Sequence, residues 1–366
     1  MTVQTHISSM QAKQHTTVLI IPTGIGAAIG GYAGDALPVA RAIASVTDQL
    51  ITHPNVLNGA QLFWPMSNTY YVEGYGLDQF AAGQWDLTPV NQNAIGLVLD
   101  QAIEPDLRGR HLQAADAARA TLGLDIRAHV TTDMPLGVTL KTTDSGASWG
   151  TLEQPDSLLR AAERLIEEAG VTAIAVIARF PDDEDSDALI AYRQGQGVDP
   201  LAGAEAVISH LVVRTFQIPC AHAPALSPLP LDLSISPRSA AEEIGYTFLP
   251  CVLAGLSRAP QFAIGVNRDR FSNSITASDV DTVVVPASAF GGSAVMSLAH
   301  RFGPAPVQVI AVGENTTTMQ VKAADLGFDA IAVNTYLEAI GAIAAQRAGV
   351  ALSALTPRIS QITALT

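Results

Sequence analysis

Thr17-Val18-Leu19-Ile20-Ile21-Pro22-Thr23-Gly24-Ile25-Gly26-Ala27-Ala28-Ile29-Gly30-Gly31 is the stretch whose reading decides the fold. An apolar, largely β-branched run ends at proline, a glycine-rich loop follows, and a helix begins near Asp35. The chain then returns to a second apolar run, Leu50-Ile51-Thr52-His53-Pro54-Asn55. Strand, glycine turn, helix and strand in that order make a β-α-β unit of a parallel sheet. The pattern recurs near the other end. Asp281-Thr282-Val283-Val284-Val285-Pro286-Ala287-Ser288-Ala289-Phe290-Gly291-Gly292 leads into a helix from Ser293 and then to Val307-Gln308-Val309-Ile310-Ala311-Val312-Gly313-Glu314-Asn315. Placed in one sheet, the two units would gather His53, Asn55, Glu314 and Asn315 at the carboxyl edge of the strands, where open α/β sheets hold ligands.

Between the two units, short β-branched runs alternate with Ala-rich amphipathic stretches. The predicted strands are Val18–Pro22, Gln49–His53, Ala94–Leu99, Ile126–Thr131, Ala173–Ala178, Phe262–Val266, Thr282–Pro286, Val307–Val312 and Ala330–Val333. Pro155 and Gly170 bracket a helix over Asp156–Ala169, while Asp199-Pro200 and Ser236-Pro237 start helices over Pro200–Phe216 and Pro237–Leu256. Pro219, Pro224, Pro228 and Pro230 make Gln217–Ser236 read as a long loop. Pro65–Val90 and Thr142–Pro155 also read as irregular. The first of these holds Tyr70, Tyr71, Tyr75 and Trp85 beside Trp64, aromatics suited to a subunit contact or a lid. We therefore expect a mainly parallel α/β protein in which the N- and C-terminal segments share a sheet. Its parts would be a polar tail over 1–16 and two similarly built lobes over 17–150 and 151–366, or one large unit.

Composition narrows the function classes. With 366 residues, 48% of them hydrophobic, the chain must bury a large core. Only 15% are charged, against roughly 25% in an average soluble chain, so we expect a homo-oligomer whose copies cover part of the surface. A net charge of −14 and just three lysines, Lys13, Lys141 and Lys322, argue against a nucleic-acid partner. Cys220 and Cys251 are too few for a disulfide framework and suit a reducing compartment. No apolar run reaches the ~18 residues of a membrane span, so no membrane partner and a cytoplasmic location are expected.

Gly24, Gly26 and Gly30 resemble a dinucleotide fingerprint, yet the following strand ends in Thr52-His53-Pro54-Asn55, without the acid that would bind ribose. No Gly-Lys-Ser/Thr and no Gly-x-Ser-x-Gly occurs, which removes the P-loop and α/β-hydrolase signatures. What remains is backbone N–H at two helix starts, suited to phosphate or carboxylate. The predicted ligand-binding residues are Thr23, Gly24, Gly26, Gly30, Asn55, Ser288, Gly291, Gly292 and Asn315. His53 is the predicted proton-transfer residue, because imidazole titrates near neutrality, with Glu314 as a second acid or base. The competing structural roles are tight packing for the glycines and a buried, satisfied ring for His53.

Other candidates are weaker. Asp35 and Thr316-Thr317-Thr318 read as helix caps, and the run Pro181-Asp182-Asp183-Glu184-Asp185-Ser186-Asp187 reads as a solvated loop. Cys220-Ala221-His222 offers a thiol and an imidazole in the proline-rich loop. Lys141 is a scarce cation that could neutralise an anion. No cofactor is specified, and no metal-ligand set is assigned.

The runs Ile21–Gly31, Thr52–Asn58 and Phe290-Gly291-Gly292 with Gly313-Glu314-Asn315-Thr316 resemble an uncharacterised family, a domain of unknown function associated with photosynthetic lineages. The resemblance covers nearly the whole chain and implies no reaction. From the residues we expect an enzyme acting on a small anionic metabolite, phosphorylated or carboxylated, at the glycine loops. The alternative is a non-catalytic metabolite-binding or regulatory oligomer.

Overall fold

A computed structural model describes residues 13–58, 65–182, 186–227, 229–243, 248–265, 273–301 and 306–364. Trp64, Val266, Pro228, residues 183–185 of the acidic run and residues 1–12 of the tail lie outside the described residues.

The two glycine-loop units do share a sheet. Its strands are β1 (Thr16–Leu19), β2 (Gln49–Thr52), β3 (Thr69–Tyr71), β12 (Val280–Pro286), β13 (Gln308–Val312) and β14 (Ile331–Val333). They lie in the order β14-β13-β12-β1-β2-β3, every pair parallel, with β1 between β12 and β2. Helices cover both faces. Leu19, Val284 and Ile310 pack towards α1 (Leu37–Ala44) and α11 (Tyr336–Arg347), while Val18, Val283 and Val285 pack towards α3 (Gly74–Ala81) and α10 (Ser293–Ala299). Burial on both sides explains why these strands read as continuous apolar runs.

The middle of the chain builds a second parallel sheet, in the order β10-β9-β5-β6. Its strands are β5 (Ile95–Leu99), β6 (Ile126–Thr131), β9 (Ala173–Arg179) and β10 (Cys220–Ala225). On one face lie α4 (Pro105–Leu122) and α9 (Phe248–Ser257), and on the other α5 (Pro155–Ala169) and α7 (Ala202–Phe216). One buried cluster runs from Leu19 and Leu50 of the first sheet to Leu97 and Ala175 of the second, so the sheets share a core. The second sheet is thus nested in the chain between the two halves of the first, and position 150 falls inside a strand, β8 (Ser148–Leu152).

Three loop expectations are corrected. Cys220–Ala225 is a strand, because β10 is an edge that pairs with β9 alone and tolerates Pro224. Thr142–Pro155 contains most of an antiparallel hairpin, β7 (Val138–Thr142) with β8 (Ser148–Leu152). Pro65–Val90 holds β3, α3 and β4 (Trp85–Thr88), the last paired antiparallel with β11 (Gln261–Ile264). The helix expected over Pro237–Leu256 is α8 (Ala240–Glu243) and α9, with 244–247 outside the described residues. Short remaining helices are α2 (Pro54–Leu57) and α6 (Asp187–Arg193). Among the described residues, no helix is long and apolar enough to cross a membrane.

Candidate functional site

At the carboxyl edge of the first sheet, the sequence-predicted residues meet but mostly serve one another. Ile21 N donates to His53 Nε2 at 3.0 Å. Burial pushes the His53 pKa down to about 4, so the ring is neutral and its Nε2 is already an acceptor. His53 therefore pins the end of β1, and the geometry gives it no proton to exchange with a ligand at that nitrogen. Asn55 Nδ2 donates to the carbonyls of Ile21 (2.8 Å) and Gly30 (2.6 Å), strapping the loop into its turn. Asn315 Oδ1 accepts from Ile29 N at 2.9 Å, and its Nδ2 donates to Ile29 O (2.9 Å) and Tyr336 Oη (2.8 Å). Glu314, exposed, accepts from Tyr336 N at 2.8 Å and so holds the start of α11.

Ser288 Oγ lies 2.9 Å from Thr317 Oγ1, which joins the second glycine segment to the stretch that supports the first. Gly291 and Gly292 precede α10, a helix of seven residues. Thr316-Thr317-Thr318 cap no adjoining helix: Thr316 O accepts from Ala28 N and Thr318 N donates to Ile25 O. Gly24, Gly26 and Gly30 have φ of +71°, +59° and +89°, the left-handed region that a side chain strains. Asn315 is the buried tie between the two ends of the chain. Asn315→Ala removes three hydrogen bonds and is expected to cost roughly 2–4 kcal/mol, read as a lower urea midpoint.

The loop's N–H groups do receive anions, but the anions belong to the protein. Asp35 Oδ1 accepts from Gly30 N at 2.7 Å and Tyr32 N at 3.4 Å, rather than capping α1, and Arg238 pairs with its other oxygen at 3.1 Å. Ala33 N donates to Glu242 Oε1 at 2.6 Å. At Gly30, Tyr32 and Ala33 the N–H groups thus have carboxyl acceptors from the protein itself.

Behind this loop lies a cavity of about 110 Å³. It is bounded by Thr23, Gly31–Ala33 and Asn55 on the first sheet's side, and on the other by the α6–α7 connection, β10 and α8. A roomier recess of about 440 Å³ beside Tyr70 and Arg258 has no carboxyl among its described lining residues. The smaller cavity is lined by three half-buried acids, Asp199, Glu205 and Glu242.

Desolvation raises all three carboxyls, and repulsion by neighbouring acids adds to it at Glu205 and Glu242. Burial brings Asp199 up to about 6 even though Leu201 N donates to it at 2.8 Å. Burial and then Asp199 bring Glu242 to about 7, against hydrogen bonds from Tyr192 Oη (2.7 Å) and Ala33 N. Glu205, desolvated and repelled by both others, is pushed well up. Tyr192 stacks on Tyr32 with ring centroids 4.8 Å apart and forms one wall.

His222 joins this cluster from β10. Its Nε2 stands 3.6 Å from Glu205 Oε2, its Nδ1 contacts Ser209 Oγ at 3.1 Å, and burial lowers its pKa to about 4. Cys220 does not pair with it. That thiol is buried against α7 and held protonated by burial, and its hydrogen bond goes to Ala221 O. Lys141 lies over the Trp149 ring at 4.5 Å on the β7–β8 hairpin, outside the cavity lining. Among the described residues, no group of three or more His, Cys, Asp or Glu side chains is arranged to hold a metal ion.

Sequence reasoning missed the acidic cavity. Asp199 read only as a cap, and Glu205 and Glu242 drew no notice. One local signal existed: Glu205 is a lone acid in the apolar run Leu201-Ala202-Gly203-Ala204-Glu205-Ala206-Val207-Ile208. A carboxyl in such a helix faces either water or something that needs it.

Comparison with known proteins fits the resemblance noted in the sequence. Residues 16–356 match the model of a family described as "Protein of unknown function (DUF3326)". The chain is 62% identical over 348 residues, 95% of each protein, to a cyanobacterial protein of Synechococcus sp. named "Uncharacterized lipoprotein". No solved structure matches. The chain belongs to this family of unknown function.

Proposed function

We propose that this family member is an enzyme that works by general acid–base proton transfer on a small molecule presenting a non-anionic polar group, held in the cavity between the two sheets. One observation carries the reading: Asp199, Glu205 and Glu242 share that cavity with their pKa values raised above the ordinary carboxyl range. Carboxyls tuned in this way exchange protons at physiological pH, and their spread in acidity assigns the roles. Asp199, brought to about 6, is the base. Glu205, pushed well up, is the proton donor, with His222, kept neutral by burial, beside it. Glu242, fixed by Tyr192 and Ala33, orients the substrate.

A phosphorylated or carboxylated ligand fits less well, because Asp35 and Glu242 occupy the N–H groups of Gly30, Tyr32 and Ala33 and the cavity is itself acidic. The test uses a soluble metabolite extract, followed by mass spectrometry with unsubstituted and Glu205→Gln protein. A compound consumed by the first and at least ~100-fold more slowly by the second supports the enzyme. A compound bound but never consumed supports instead the metabolite-binding or regulatory reading.

We place the chain in the cytoplasm as a homo-oligomer, without a nucleic-acid or membrane partner. Self-association is supported by Leu337 on α11 and by Leu355, Ile359 and Ile362 beyond it, all exposed. The relative's name speaks of a lipoprotein, whereas both cysteines of this chain are buried and offer no accessible thiol for a lipid in the folded state.

A further inference from the structure

A second cavity, of about 60 Å³, adjoins the first. The two share Leu189, Leu201, Leu226 and Leu229 as a common wall. Beyond these leucines the second cavity is bounded by Leu140 of the β7–β8 hairpin, Pro181 and Pro200. Its polar groups are engaged: Asp182 is paired with Arg179 and accepts from Ser227 Oγ at 2.9 Å. The joined space is therefore acidic at one end and apolar at the other. Leucine side chains, unlike backbone, move aside by changing rotamer.

We propose that the site takes an elongated cationic amphiphile, an alkyl ammonium whose head lies among Asp199, Glu205 and Glu242 and whose unbranched tail passes the four leucines into the second cavity. The proposal rests on the acid–base reading of the first cavity and names its ligand class. A positive head relieves the repulsion among three carboxyls and donates hydrogen bonds to acceptors that have few internal partners. A tail gains by leaving water, at about a fourfold tighter Kd per methylene, the factor equivalent to ~0.8 kcal/mol. An anionic head of the same length meets like charge and gains nothing at the carboxyls.

Isothermal titration calorimetry with ethyl-, butyl-, hexyl- and octylamine, each below its micelle concentration, tests this against the carboxylic acids of equal length. The expected result is a Kd that falls about fourfold per methylene until the second cavity is full, with each acid at least tenfold weaker than its amine. Leu140 borders only the second cavity, so Leu140→Trp, or Leu140→Phe should tryptophan unfold the hairpin, is expected to abolish the gain with length while leaving ethylamine affinity unchanged. Amines that bind without dependence on length overturn the tail and leave the acidic cavity standing. Amines and acids that bind alike, or no binding by any amine, overturn the ligand class, whereas turnover that survives in Glu205→Gln protein is what overturns the acid–base reading beneath it.

Discussion

Glu205→Gln protein is expected to resist urea better than the unsubstituted chain at pH 8, by about 3 kcal/mol, and to show little advantage at pH 4. The sign follows from linkage. Asp199, Glu205 and Glu242 all have folded-state pKa values raised above their unfolded ones. The stability they contribute is therefore fully present below the unfolded carboxyl range, near pH 4, and falls as pH rises through about 6 for Asp199 and about 7 for Glu242. Over that window each such group costs about 1.36 kcal/mol per pH unit. Glutamine keeps the shape and removes the titrating group that Asp199 and Glu242 both repel. Urea midpoints at pH 4 and pH 8 for both proteins decide the matter, and parallel pH dependences would sink the idea of a strained acidic cluster. A gain in stability bought by loss of turnover is the usual signature of an active site.

Gly203→Ala should do the opposite, destabilising by roughly 3 kcal/mol or more. A Cβ at Gly203 would stand 2.3 Å from Ser148 O and from Trp149 Cα, both backbone atoms that have no rotamer to change. The facing glycine makes the same point: a Cβ at Gly150 would lie 2.4 Å from Ala204 Cβ and 2.6 Å from Thr139 O. The first turn of α7 thus rests directly on β8. Moving it displaces Glu205, so cavity binding should weaken together with stability. Gly109, inside α4, is the control: a Cβ there would meet nothing within 4 Å, and Gly109→Ala should stabilise by about 1 kcal/mol. Similar thermal shifts for the two alanine variants would refute the close contact.

Much of the fold was legible because its signals are local. Val18, Val283 and Val309 belong to runs apolar on both faces, Pro155 and Gly170 mark the ends of α5, and the repeated strand, glycine loop and helix placed both chain ends in one sheet. The meeting of His53, Asn55 and Asn315 at its carboxyl edge was legible for the same reason: strand ends in a parallel sheet line up. Their roles were not, since a histidine that accepts a backbone N–H and one that carries a proton have the same sequence. Cys220–Ala225 was missed as a strand because Pro224 speaks against a central strand and cannot by itself announce an edge.

By itself the sequence determined the alternation of buried strands and helices, the strained turns at Gly24, Gly26 and Gly30, and the absence of nucleotide-binding and hydrolase signatures. Only the tertiary structure decided where the acids converge. Asp199 comes from the α6–α7 connection, Glu205 from α7 and Glu242 from α8, and in the extended chain each is an ordinary carboxyl. Their raised pKa values arise from desolvation and, at Glu205 and Glu242, from neighbouring acids, and both depend on distances that exist only once the second sheet has folded against the first.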